Sequence, residues 1–138
     1  MNKFATVWIM AAAVAAGAFT HEARADVVII VSAKNTAQAL TPEEISQIYL
    51  GKSTALKPVD NDDKSLVRNQ FYSKIAGRDQ AQVKAIWSKL VFTGKAKAPK
   101  ELPSNADVVK TVAGDPTAIG YVDKSAVDST VKVVLEVK

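Results

Sequence analysis

Apolar and polar positions along the chain change period several times, and each change marks an element. Val27 to Val31 is an unbroken β-branched run. It predicts a strand covered on both faces, the pattern typical of a parallel sheet. Ser32 to Gln38 is polar and turns the chain. A helix start follows: Thr41 as N-cap, Pro42 at the first helical position and Glu44 closing a capping box. Leu40 and Ile45 are spaced for a hydrophobic staple across that cap. Ile45, Ile48 and Tyr49 form the apolar face of this short helix, and Gly51 ends it.

Leu56 to Val59 predicts a short strand, and Asp60 to Lys64 is polar and acidic. Val67, Phe71 and Ile75 then recur at helical spacing, so one helix is expected from Ser65 to Ala76 with Gly77 as its stop. Asp79 caps the next helix, with Gln82 three residues on. Val83, Ile86, Trp87, Leu90 and Val91 make its stripe, which reads Trp87 as a core anchor. Lys95 to Pro103 is expected to be a loop broken by Pro99 and Pro103. Ser104 and Asp107 open a further helix with Val108, Val109 and Val112 on its inner face and Gly114 at its end. Ala118 to Val122 reads as a strand. Val131, Val133, Leu135 and Val137 alternate, so the chain closes on a half-exposed edge strand. Strands and helices alternate, which predicts an α/β fold, a three-layer sandwich with helices over the sheet.

The beginning of the chain has another character. Lys3 precedes an apolar run from Phe4 to Phe19, and Ala23-Arg24-Ala25 has the form of a cleavage site. The run is shorter than the ~20 residues of a spanning helix. Residues 1–25 are therefore expected to be a signal peptide cleaved after Ala25, leaving 26–138 as one exported, periplasmic domain. Met1, Met10 and His21 would leave with it, and the chain has no Cys. A domain without His, Cys or Met has no Ser-His or Cys-His nucleophile and no imidazole, thiolate or thioether metal site. An enzyme is not expected, and neither is a cofactor or metal.

Charge adds little. The 18 basic and 14 acidic residues are interspersed. Lys95, Lys97 and Lys100 are the densest basic patch, but no aromatics interleave them, so a nucleic-acid surface is not expected. Asp60 and Asp62 have the alternate spacing of a calcium loop, but Ser65 and Phe71 stand where its Gly and Glu belong.

Several segments together resemble one family. Leu40-Thr41-Pro42-Glu43-Glu44-Ile45 runs into Ile48-Tyr49-Leu50-Gly51-Lys52. Phe71-Tyr72-Ser73-Lys74 and Trp87 with Leu90 follow, then Phe92-Thr93-Gly94-Lys95 and Ala118-Ile119-Gly120-Tyr121-Val122. In this order they resemble the periplasmic phosphate-binding proteins of ABC transporters, of the type 2 periplasmic-binding-protein class. The resemblance covers about residues 27–123 and implies one lobe of a two-lobed fold. It further implies a non-catalytic solute-binding protein for phosphate or another oxyanion, with an ABC permease or another periplasmic protein as partner. Ser65 matches the serine of the family's phosphate turn, and Lys64 and Arg68 would supply positive charge there. Free amides and a helix dipole favour an oxyanion at such a turn.

In this chain the turn reads Asp60-Asn61-Asp62-Asp63-Lys64-Ser65, without glycine and with three carboxylates. A carboxylate ~4 Å from an anion costs about 4 kcal/mol at an effective dielectric of ~20. Two alternatives therefore stand: an oxyanion site built on Lys64, Ser65 and Arg68, or a plain capped helix in a single-lobe interaction or sensory module that has lost phosphate binding. A homodimer, through the surface another lobe would cover, belongs to the second.

Overall fold

The computed structural model describes residues 26–138, and the expected signal peptide lies outside the described residues. Five strands form one mixed sheet: β1 (Val27–Ser32), β2 (Lys57–Asn61), β3 (Lys100–Leu102), β4 (Ala118–Asp123) and β5 (Val131–Glu136). Their order across the sheet is β3-β2-β4-β1-β5. The helices are α1 (Pro42–Tyr49), α2 (Leu66–Phe71), α3 (Gln80–Phe92) and α4 (Asn105–Ala113).

Side chains of β1 alternate between two cores. Val27, Ile29 and Val31 join a cluster with α1, α2 and α3, while Val28 and Ile30 join Val108, Val109 and Val112 of α4. The result is three layers, helices over both faces of the sheet. All five β1 residues from Val27 to Val31 are buried, each such side chain contributing roughly 1.5–3 kcal/mol. The expected parallel pairing is corrected: β1 is antiparallel to both β4 and β5. An unbroken apolar run reports burial on two faces, which helix layers supply whatever the neighbours' direction.

The helix starts follow the sequence. Thr41 and Asp79 each make a reciprocal capping box, with Glu44 and Gln82 respectively. Gly51 follows α1 at φ 76°, a left-handed conformation that favours glycine, and a Cβ there would stand 2.5 Å from Leu90 Cδ1, which would have to shift. Gly120 has a different role. A Cβ on it would meet Val108 Cγ1 at 2.7 Å and Val112 Cγ2 at 2.9 Å, so its absence lets α4 lie close on the sheet.

Four expectations change. The helix expected from Ser65 to Ala76 is α2 followed by a π turn, Tyr72–Ala76, ending on left-handed Gly77. The wider turn shifts the helical phase, so the adjacent residues Phe71 and Tyr72 are both buried. Asp60 and Asn61 end β2 instead of starting a loop. The expected loop from Lys95 to Pro103 contains β3, which pairs parallel to β2. β5 is an edge strand as its pattern indicates, but a bulge opposite Ile29 and Ile30 breaks the alternation. Val134 is thereby buried at 5 % exposure and Val133 is turned out at 36 %.

Candidate functional site

β2 and β3 run side by side and parallel, and each leads into a helix. The chain after β2 goes into α2 on one face of the sheet; the chain after β3 goes into α4 on the other. The helices part at the carboxyl ends of two neighbouring strands, the topological switch point where open α/β sheets hold ligands. A crevice of about 370 Å³ lies there, lined by Asn61, Asp62, Lys64, Ser65, Pro103, Ser104 and Asn105.

Both helix starts on the crevice are capped. Ser65 Oγ accepts from the Arg68 N–H at 3.4 Å. Ser104 Oγ accepts from the Asp107 N–H at 3.1 Å and donates to Asp107 Oδ2 at 2.8 Å. Further first-turn amides have no carbonyl partner within their helix. Asp62 stabilises the turn: its Oδ1 accepts from the Lys64 N–H at 2.9 Å, and that bond holds its carboxyl below the usual range. Lys64 is exposed on the rim. Asn105 Oδ1 is buried with no hydrogen-bond partner.

Behind the crevice lies a buried polar network. Asp60 is 3 % exposed and Arg68 is 4 %. Tyr72 donates to Asp60 Oδ2 at 2.6 Å, and the Tyr121 hydroxyl donates to Oδ1. Burial pushes the Asp60 carboxyl up, against the opposing pull of Tyr121, Tyr72 and Arg68. Arg68 Nη1 donates to Asn61 O at 3.0 Å and to Glu101 Oε1 at 2.8 Å, and its Nε stands 3.8 Å from Asp60 Oδ1. Burial works against the Arg68 charge, but Asp60 and Glu101 outweigh it and raise the group above its ordinary range. Asn61 is held from two sides, its Nδ2 donating to Tyr121 O at 2.7 Å. Tyr49 ties the neighbouring strands together by donating to Val59 O at 2.8 Å and Ile119 O at 3.1 Å.

Of the three residues expected at the site, Lys64 and Ser65 meet on the crevice. Arg68 does not line it; it borders a separate cavity with Asp60, Trp87 and Glu101. Ser104 and Asn105, across the crevice, were legible only as a helix start. Recognising them needed β3, whose three residues carry no strand pattern of their own.

No protein-family model matches the sequence, and no curated protein matches it significantly. Solved structures do match. A phosphate ABC transporter substrate-binding protein with bound phosphate from Clostridium perfringens aligns with TM-score 0.65 and 22% identity, over 80% of this chain and 44% of that one. An ABC-type phosphate transport receptor from Vibrio cholerae aligns with TM-score 0.63 and 19% identity, over 80% and 45%. PstS from Borrelia burgdorferi aligns with TM-score 0.60 and 12% identity, over 80% and 46%. The chain thus has the fold of part of these proteins and spans under half the length of each. Among the described residues no helix is long and apolar enough to cross a membrane.

Proposed function

We propose, on the premise of that fold, that the chain is a non-catalytic solute-binding protein that takes a protonated oxyanion, phosphate first, in the switch-point crevice. One observation carries the reading: two capped helix starts, Ser65 on α2 and Ser104 on α4, face one crevice at the ends of adjacent parallel strands. Their first-turn amides and Lys64 are donors for an anion. Asp62 on one wall and the unpartnered Asn105 Oδ1 on the other are acceptors. Acceptors repel a bare oxyanion but receive a hydrogen bond from one that keeps a proton. Phosphate keeps a proton near neutral pH and sulfate does not. In this reading Lys64 and Ser65 touch the anion, while Arg68 holds Asn61, and so the crevice wall, from behind. Export after cleavage at Ala25 and delivery to an ABC permease complete the proposal; N-terminal sequencing of the periplasmic protein tests the cleavage.

Isothermal titration of the full chain with phosphate, sulfate and molybdate tests the site. Phosphate binding that exceeds sulfate and weakens about tenfold in Lys64→Glu is expected. Equal binding of phosphate and sulfate, or no heat at millimolar anion, overturns it.

A second reading has its own supporting observation. Arg68 is bound by two carboxylates and Asp62 lines the crevice, so fixed negative charge is close. A protein surface, from a partner or a second copy of the chain, then covers the crevice in place of an anion. Sedimentation and pull-down from periplasm test this: a dimer or complex lost on Leu66→Glu supports it, because Leu66 opens α2 and is 43% exposed.

A further inference from the structure

A second concavity lies at the opposite end of the same strand pair. The crevice sits where β2 and β3 finish; this groove lies where β2 starts, at Lys57 and Pro58, and where the chain enters β3, at Pro99. It encloses about 480 Å³ and shares no residue with the crevice. Ile48, Leu56, Trp87 and Pro99 give it an apolar lining. Trp87 is 8 % exposed and anchored, its Nε1 donating to Tyr49 O at 2.9 Å, so that part of the wall is rigid.

The charged residues that line the groove all have one sign. Its charged lining residues are Lys57, Lys95 and Lys97, all exposed and without a carboxylate among the lining. None of the three forms a salt bridge among the described residues. Asp115 feels Lys57 at a distance, but its carboxylate is held by Thr117. Beside the groove runs β3, an edge strand of the sheet. An edge strand next to a pocket is the arrangement by which extended segments are recognised, the backbone pairing with the edge and a side chain filling the pocket.

We infer that this groove is a docking site for an extended acidic segment of a partner protein, with one apolar side chain anchored against Trp87. The three lysines select acidic residues flanking the anchor, and the apolar lining excludes a bare inorganic anion. A lipid surface fits poorly, because the anchored aromatic lies inside a concavity where a flat bilayer does not reach. The site is independent of the crevice, so absence of anion binding leaves this inference untouched.

The test uses the full chain carrying Trp8→Phe, so that Trp87 is the remaining tryptophan of the two. Its emission is followed on titration with the peptide acetyl-Asp-Glu-Leu-Phe-Glu-Asp-amide. Two control peptides replace the acidic residues by Lys, or Leu and Phe by Ser. Expected are an emission shift with the acidic apolar peptide alone, weakening as salt rises, and a loss of at least about tenfold in affinity in the double variant Lys95→Glu, Lys97→Glu. Both lysines are exposed, so the variant keeps its fold, which its thermal melt verifies. Equal binding of the basic peptide, unchanged affinity in the double variant, or no shift at millimolar peptide overturns the inference. Binding to phosphatidylglycerol vesicles in place of the peptide, or self-association that buries Trp87, overturns it as well.

Discussion

On the sheet face that carries α1 to α3, four rings interlock. Phe71 stacks on Tyr121 at 4.0 Å and 5°, and Tyr49 meets Phe71 edge-on at 4.6 Å. Tyr72 sits 5.1 Å from Phe71. On the opposite face, α4 rests on Val28, Ile30 and Val122 mainly through Val108, Val109 and Val112, drawn in over Gly120. Each face builds one wall of the crevice. Large rings with hydroxyl tips reach the strand ends, bind Asp60 and the carbonyls of Val59 and Ile119, and so set Asn61. Small side chains have no such reach; they position Ser104 by letting the helix approach closely. One wall is thus braced from behind by hydrogen bonds among titratable groups, and the other by the close packing of small side chains.

The comparison breaks most severely at Phe71. Phe71→Ala removes the ring that three tyrosines contact and is expected to cost about 3–5 kcal/mol in urea unfolding. Val112→Ala on the other face removes less volume and costs less.

Alkaline pH separates the faces without mutation. Burial raises the Tyr49, Tyr72 and Tyr121 hydroxyls above their ordinary range, with Asp60 adding to it. The unfolded chain releases those protons near pH ~10 while the folded chain keeps them, so the stability they provide is present below that pH and lost above it. Three such groups remove about 4 kcal/mol per pH unit above ~10. A triple Tyr→Phe variant should lose this dependence, and a melt series from pH 8 to 12 checks it.

Gly120→Ala attacks the aliphatic face alone. Its Cβ overlaps two valine methyls, so a loss of about 1–3 kcal/mol is expected, each kcal/mol lowering the melting temperature by roughly 4–8 °C. The three tyrosines should keep their alkaline titration.

The smallest effects come from the caps. Ser65→Ala and Ser104→Ala are each expected to cost about 1 kcal/mol. If both helix starts serve the anion, both variants also weaken phosphate binding in titration calorimetry; an effect confined to one of them assigns the site to a single wall.

Much of the scaffold was readable because its signals are local. The boxes at Thr41 and Asp79, the stop at Gly77 and the valine stripe of α4 each need only three or four residues of chain, and all stand in the structure. Three of the misreadings share one cause. The direction of β1, the strand at Lys100–Leu102 and the bulge that turns Val133 outward are properties of pairing between distant segments. The crevice lining divides likewise: Lys64 and Ser65 are neighbours in the chain, while Ser104 and Asn105 reach them only through the pairing of Val59 with Lys100 and Asn61 with Leu102. Arg68, expected as a ligand cation, instead lies buried between Asp60 and Glu101, the second carboxylate coming from that same unforeseen strand.

By itself the sequence determined much of the apolar core and where the helices begin, because caps and apolar periodicity act within a few residues. The tertiary structure alone decided where function has room. Both concavities lie at the ends of β2 and β3, and parallel neighbours far apart in the chain are joined by backbone hydrogen bonds, which form whatever the side chains are.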